Sequence, residues 1–206
     1  MRDDGPIPMS IHLHPHALRG ECVKVGVLVY DTCVQFEVVL AAFFVQQRGE
    51  IATYGLEMRD FRSAEGFNLR PDSLLSELDP DGVDAFIVPG GEPEQIMDDP
   101  VLTAKLRELN SRGKLVAAIC AGPIHLSRAG LLDGRKFTSS VYHERGGDFT
   151  SGTYVDDDIV QDGNIVTAWP NAYVDLALVL ANRLDLFTSE EDRDETIRVF
   201  REFKKG

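Results

Sequence analysis

The stretch KLVAAICAGPIHLSRAGLL, residues 114–132, decides how the rest of the chain is read. Leu115 to Ile119 is a short apolar run, the pattern of a strand buried on both faces. Pro123 then suits the first position of a helix. Between them, Ala118-Ile119-Cys120-Ala121-Gly122 has the small-x-nucleophile-x-small form of a strand-to-helix elbow. In such an elbow small neighbours let the chain turn sharply and expose the middle side chain. Spacing alone leaves two readings open. Cys120 is a small buried residue ending a strand, or it is held out for chemistry.

Working outward, the strand-then-helix unit recurs. Val23 to Tyr30 is a β-branched run that predicts a buried strand, and FEVVLAAFFVQQRG (36–49) predicts a helix ended by Gly49. EIATYGL (50–56) is a second strand, and FRSAEGFNLRPD (61–72) has the Gly-centred look of an inserted β-ribbon. VDAFIVPGG (83–91) is a buried strand running into a double-glycine turn. DDPVLTAKLRELNSRG (98–113) is a helix with Asp99 as cap, Pro100 at its first position and Gly113 past its end. Downstream, strands are predicted near Lys136 to Ser140, Thr153 to Val160 and Asn164 to Ala168, followed by a helix from about Asn171 to Leu184. A last helix is capped by Ser189, with Ile197, Phe200 and Phe203 spaced along one side. Alternating strands and helices predict an α/β fold, a doubly wound, mostly parallel sheet sandwiched by helices. The expected division is a flexible N-terminal arm over 1–21, one domain over 22–187, and a C-terminal helix over 188–206 that caps the core or joins a dimer interface.

Composition narrows the function. The 206 residues carry 21 Lys+Arg against 34 Asp+Glu, a formal charge of -13, which repels a nucleic-acid backbone or an anionic membrane. The longest apolar run, Val38 to Val45, is far short of the ~20 residues that span a bilayer. The N-terminus lacks an apolar stretch of signal-peptide length, so a cytoplasmic location is expected. Cys22, Cys33 and Cys120 are then expected as free thiols. His12, His14 and His16 alternate in the arm, but nothing completes a metal-ligand set and no metal is expected.

In such sheets ligands bind beyond the carboxyl ends of the strands. Cys120 lies there, at a helix N-terminus, where the helix dipole predicts a thiol pKa below the ~8.5 of free cysteine. The backbone N–H groups of Gly90, Gly91 and Ala121 could cradle an oxyanion formed by attack of Cys120. Glu37, among apolar neighbours at the start of a helix, could be protonated by desolvation and serve as acid or base toward Cys120, or be a solvated first-turn carboxylate. Phe36, His143 and Trp169 are candidate pocket residues. Cys33, on the loop after the first strand, is a candidate resolving thiol or a passive one.

VPGG at 88–91, AAICAGP at 117–123, GLLDGRKFTS at 130–139 and DGNIVTA at 162–168 together resemble the ThiJ/PfpI superfamily, in its Parkinsonism-associated deglycase branch, over about Val23 to Leu184. The resemblance implies the flavodoxin-like fold of class I glutamine amidotransferases. It also implies Cys120 as the nucleophile and redox-sensitive cysteine, Glu37 as the acid bonded to it, and Gly90, Gly91 and Ala121 as the oxyanion-binding backbone. Many relatives have a histidine where this chain has Ser140, with His143 three residues later. Ser140 and His143 are therefore candidate acid/base or pocket residues, and a Cys-His-acid peptidase triad is not expected. What the likeness implies is a cofactor-independent, glyoxalase- or deglycase-type lyase or hydrolase acting on a small 2-oxoaldehyde, working as a homodimer. Two alternatives stand beside it: an isocyanide-hydratase-like enzyme, and a non-catalytic oxidative-stress sensor or chaperone with an oxidisable Cys120.

Overall fold

The computed structural model describes residues 22–205; the arm over 1–21, with its histidines, lies outside the described residues. In chain order the elements are β1 (Val23–Leu28), α1 (Phe36–Gln46), β2 (Gly49–Gly55), β3 (Phe61–Arg62), β4 (Asn68–Leu69), β5 (Ser73–Leu74) and β6 (Ala85–Val88). Then follow α2 (Pro100–Ser111), β7 (Leu115–Ile119), α3 (Pro123–Arg128), β8 (Lys136–Phe137), α4 (Tyr142–Arg145) and β9 (Thr153–Tyr154). The last elements are β10 (Ile159–Asp162), β11 (Ile165–Ala168), α5 (Tyr173–Arg183) and α6 (Glu190–Phe200).

Seven strands form the main sheet in the order β10-β11-β7-β6-β1-β2-β5, all parallel except β10, which pairs antiparallel with β11. The chain leaves β1 for β2 on one side, then crosses back to place β6 on the other side of β1. The carboxyl ends of β1 and β6 therefore flank a topological switch point, where loops diverge and leave a crevice.

Each face of the sheet has its own core. Val25, Val27, Ile87, Ala117 and Val166 pack against Val38, Ala41, Phe44 and Val45 of α1 and Leu176, Ala177 and Leu180 of α5. Leu28, Phe86, Val88, Val116 and Ala118 pack against Leu102, Leu106 and Leu109 of α2 and Ile124 and Leu126 of α3. The three α2 leucines fall on one stripe, and burying each is worth about 1.5–3 kcal/mol relative to exposure. Asp99 caps α2, its carboxylate accepting from the N–H groups of Val101 and Leu102, and Gly113 follows with φ +68°. The Gly66-centred ribbon forms as β3 paired antiparallel with β4.

Four boundaries differ from the sequence reading. Gly49 does not stop α1, which ends at Gln46, but begins β2 opposite Val23; a Cβ there would lie 2.3 Å from the Val23 carbonyl oxygen, so the close strand approach requires glycine. The strand expected near Lys136 to Ser140 is only Lys136–Phe137. Thr153 to Val160 is two strands, not one: β9 pairs with β8 in a separate ribbon and β10 with β11, because the chain turns at Asp156 to Asp158 between them. Phe203 lies past the end of α6 with φ +54° and is 82% exposed, so only Ile197 and Phe200 of the expected stripe pack against the core, Phe200 edge-on to Phe44 at 5.1 Å.

Candidate active site

Three adjacent strands deliver the site. Cys120 follows β7 in the left-handed region, φ +62°, a conformation that L-residues adopt at a steric cost. The elbow is held on two sides: the Cys120 N–H donates to the Ala168 carbonyl at 2.8 Å, and Ser139 Oγ donates to the Cys120 carbonyl at 2.7 Å. Gly122 lets α3 start against β6, since a Cβ there would sit 2.5 Å from the Val88 carbonyl oxygen. Small residues flank Cys120 because the neighbouring backbone leaves no room for larger ones.

Glu37 lies in the first turn of α1 yet is only 2% exposed, so it is not a solvated helix-start carboxylate. Its Oε2 accepts the Gly90 N–H at 2.8 Å, and its carboxyl lies beside the Cys120 thiol, each shifting the titration of the other. A methyl group at Gly90 would lie 2.9 Å from both Cys120 Sγ and Glu37 Oε2, so glycine keeps this space open. The N-terminus of α1 is closed by the ribbon, the Phe36 N–H donating to Glu65 Oε1 at 2.9 Å.

The electrostatics reverse one expectation. Burial, then the charge of Glu37, pushes the Cys120 thiol up to about 11, against the lowering hydrogen bonds from Ser140 and the Ala121 N–H. The predicted depressed pKa is therefore corrected. Burial also raises the Glu37 carboxyl above its ordinary range, although the Gly90 N–H and the thiol partly oppose this. Cys120 and Glu37 are therefore electrostatically coupled: the Glu37 charge raises the thiol, while the thiol proton helps to hold the carboxylate charge.

The expected oxyanion donors separate. The Gly90 N–H is committed to Glu37, which removes it from the cradle in this arrangement. The Ala121 N–H is near enough to Cys120 to lower its thiol pKa, and the Gly91 N–H has no hydrogen-bond partner among the described residues.

Residues 23–183 match the DJ-1/PfpI family. The chain belongs to the DJ-1/PfpI family. It is similar to a deglycase of Thermococcus kodakarensis, 30% identical over 164 residues that cover 75% of this chain and 99% of that protein. It is also similar to the deglycase PfpI of Pyrococcus furiosus, 35% identical over 121 residues that cover 54% and 72% of the two chains. Among solved structures, DJ-1beta of Drosophila melanogaster superposes with a TM-score of 0.75 at 25% identity, covering 86% of this chain and 97% of that one. A DJ-1 superfamily protein from Agrobacterium tumefaciens superposes with a TM-score of 0.76 at 25% identity, covering 88% and 100%.

In this DJ-1/PfpI chain the remaining candidates fall into place around Cys120 or away from it. Ser140 Oγ reaches Cys120 Sγ at 3.5 Å. His143 is exposed and packs edge-on against Tyr142 and Tyr154, with ring centroids 5.7 and 5.4 Å away, and makes no hydrogen bond to Cys120. Trp169 is half-buried, its Nε1 donating to Thr138 Oγ1 at 2.9 Å. Phe36 is 50% exposed and edge-on to Tyr173, at the outer end of α1 rather than in an enclosed pocket. Cys33 is 2% exposed, packs with Leu28 and Phe86, and has its thiol pKa raised by burial; this corrects its reading as an accessible resolving thiol. Among the described residues no His/Cys/Asp/Glu group could hold a metal ion, and no helix is long and apolar enough to cross a membrane.

Three residues near the elbow were not among the expected site residues. Ser139 holds the Cys120 carbonyl. His125 is 1% exposed, neither ring nitrogen has a hydrogen-bond partner, and burial, then Arg145, lowers its pKa to about 4. Tyr30 is 2% exposed just beyond β1, with its hydroxyl among the carbonyls of the Pro89–Gly91 turn. The one available signal was a polar-tipped aromatic at the carboxyl end of an apolar strand, where the crevice opens.

Proposed function

We propose that this protein is a cysteine-dependent enzyme acting on a small electrophilic carbonyl compound, by glyoxalase- or deglycase-type conversion of 2-oxoaldehydes without a cofactor. The observation that carries this reading is the pair itself: a half-buried Cys120 thiol beside a buried carboxylate that is held by a backbone N–H, with no imidazole bonded to the sulfur among the described residues. Such a pair suits an electrophile that needs a proton moved but no amine leaving group protonated. The sulfur adds to the aldehyde carbon while the thiol proton passes to Glu37. The hydrogen on that carbon leaves as a proton and returns to the adjacent carbon, giving a thioester, and water releases the 2-hydroxy acid. The Ala121 and Gly91 N–H groups are the candidates to hold the alkoxide. The similarity to deglycases supports the same substrate class.

The test is methylglyoxal consumption with lactate detection. Cys120→Ser is expected to abolish it, and Glu37→Gln to lower it by at least about a hundredfold; a Cys120→Ser protein working at the wild-type rate overturns the proposal. Formamide production from an isocyanide would move the assignment to an isocyanide-hydratase-like reaction. The sensor reading needs the thiolate, the species that peroxide oxidises, just as attack on an aldehyde does, so the raised thiol is common to both readings. Gain of two oxygens on Cys120 after mild peroxide, without turnover, would favour the sensor reading.

A further inference from the structure

The Tyr30 hydroxyl is a buried polar group with no part in the proposed reaction. The Tyr30 hydroxyl donates to the Gly90 carbonyl at 2.9 Å, with the Pro89 carbonyl at 3.3 Å sharing the same proton. The Gly90 carbonyl also accepts the Val34 N–H at 3.0 Å. Both peptides of this turn are trans, and in a trans peptide the C=O and the following N–H point in opposite directions. Drawing the Pro89 carbonyl toward Tyr30 therefore turns the Gly90 N–H the other way, onto Glu37, where it is found. By the same geometry the Gly90 carbonyl turns the Gly91 N–H away from Tyr30. Glycine backbones have little torsional preference of their own, so the turn needs an external hold, and Gly91 sits at φ +142°. The packing there is close: a Cβ on Gly91 would lie 2.8 Å from the Tyr30 hydroxyl oxygen.

We propose that Tyr30 is a positioning residue for the attack by Cys120, its hydroxyl clamping the Pro89–Gly90–Gly91 turn so that the Gly90 N–H holds Glu37 and the Gly91 N–H stays available to the developing alkoxide. Tyr30 touches neither substrate nor sulfur in this role. It acts through the two glycines. The proposal rests on the reading of Cys120 and Glu37 as the working pair, and extends it to a residue three positions before Cys33, on the other side of the turn.

Tyr30→Phe removes the hydroxyl and keeps the ring. The expected result is a fall in kcat for methylglyoxal of about tenfold to a hundredfold, less than outright loss of an oxyanion donor, with KM within about twofold. A second readout does not depend on turnover. The acid limb of Cys120 alkylation by iodoacetamide reports the first proton leaving the Cys120–Glu37 pair; besides Glu37, the groups facing the pair are Ser140, Tyr30 and, behind Glu37, Glu65 and the buried Cys33 thiol. Loosening the Gly90 N–H leaves the carboxylate less stabilised, so this limb moves to higher pH in Tyr30→Phe. A folded Tyr30→Phe protein whose acid limb matches wild type overturns the proposal, whatever its kcat. A shifted limb in a protein that never consumes methylglyoxal supports the clamp and overturns the substrate assignment instead. Should Tyr30→Phe fail to fold, 3-fluorotyrosine at position 30 keeps the hydroxyl as a stronger donor. The limb must then move to lower pH, and no movement overturns the clamp.

Discussion

At Cys120 two local effects compete, and their sizes decide the outcome. A helix N-terminus favours a thiolate by about 0.3–1 kcal/mol, less than one pKa unit. Burial and the neighbouring Glu37 charge raise the thiol from 9.0 to about 11, a cost to the thiolate of roughly 3 kcal/mol. Burial and the carboxylate win, and the protonated thiol is favoured at neutral pH. The same residue carries backbone strain, since its φ of +62° disfavours any side chain. Cys120→Gly relieves that strain while Cys120→Ala retains it. The glycine variant is expected to be more stable than the alanine variant by roughly 1 kcal/mol, read as about 2–4 °C between their melting midpoints. Equal midpoints would show that the elbow is unstrained.

At the scale of elements, α2 carries its own boundaries. Asp99 accepts two N–H groups, so Asp99→Ala is expected to cost about 1 kcal/mol in urea unfolding with an unchanged slope. Such punctuation is why α2, the ribbon and the Cys120 elbow could be read from the residues. Asp99, Pro100 and Gly66 each have a local job that determines the residue type. Gly49 misled because its job is not local: it avoids the Val23 carbonyl of a strand 26 positions away, which looks in one dimension like a helix stop. The break between β9 and β10 was hidden because two-residue strands show no alternation. At the site, the identities of Cys120 and Glu37 were legible, whereas the thiol pKa, the commitment of the Gly90 N–H and the place of Tyr30 depend on which atoms three separate loops bring together.

For the whole molecule, the buried and unpartnered His125 predicts acid sensitivity. Its folded pKa, about 4, lies below its ordinary 6.5, so the native state holds fewer protons than the unfolded chain between those values. The contribution to stability is fully present above pH 6.5 and is lost as pH falls toward 4, amounting to roughly 3 kcal/mol. His125→Leu removes this dependence, and the difference between its unfolding free energy and that of wild type should change by about that amount across the window. A flat difference would mean that the ring is solvated or bonded in solution. We also propose that the protein is a homodimer. Phe36 and Val39 of α1 stand exposed beside the ribbon that bears Phe67, an apolar neighbourhood fit for self-association. Sedimentation giving a monomer at micromolar concentration overturns this.

The position of β6 between β1 and β7 also makes the site a clock for folding. Glu37 and Gly90 are 53 positions apart, and neither can meet the sulfur until that central strand has slotted into the sheet. Before that event Cys120 is an ordinary thiol, titrating near ~8.5; after it, the thiol is shielded and weakly acidic. Brief alkylation pulses during refolding at pH 8.5 should therefore label Cys120 readily at first and then lose it in a single late phase. The arrival of the native topology can be timed on one sulfur atom, with no spectroscopic probe added to the chain.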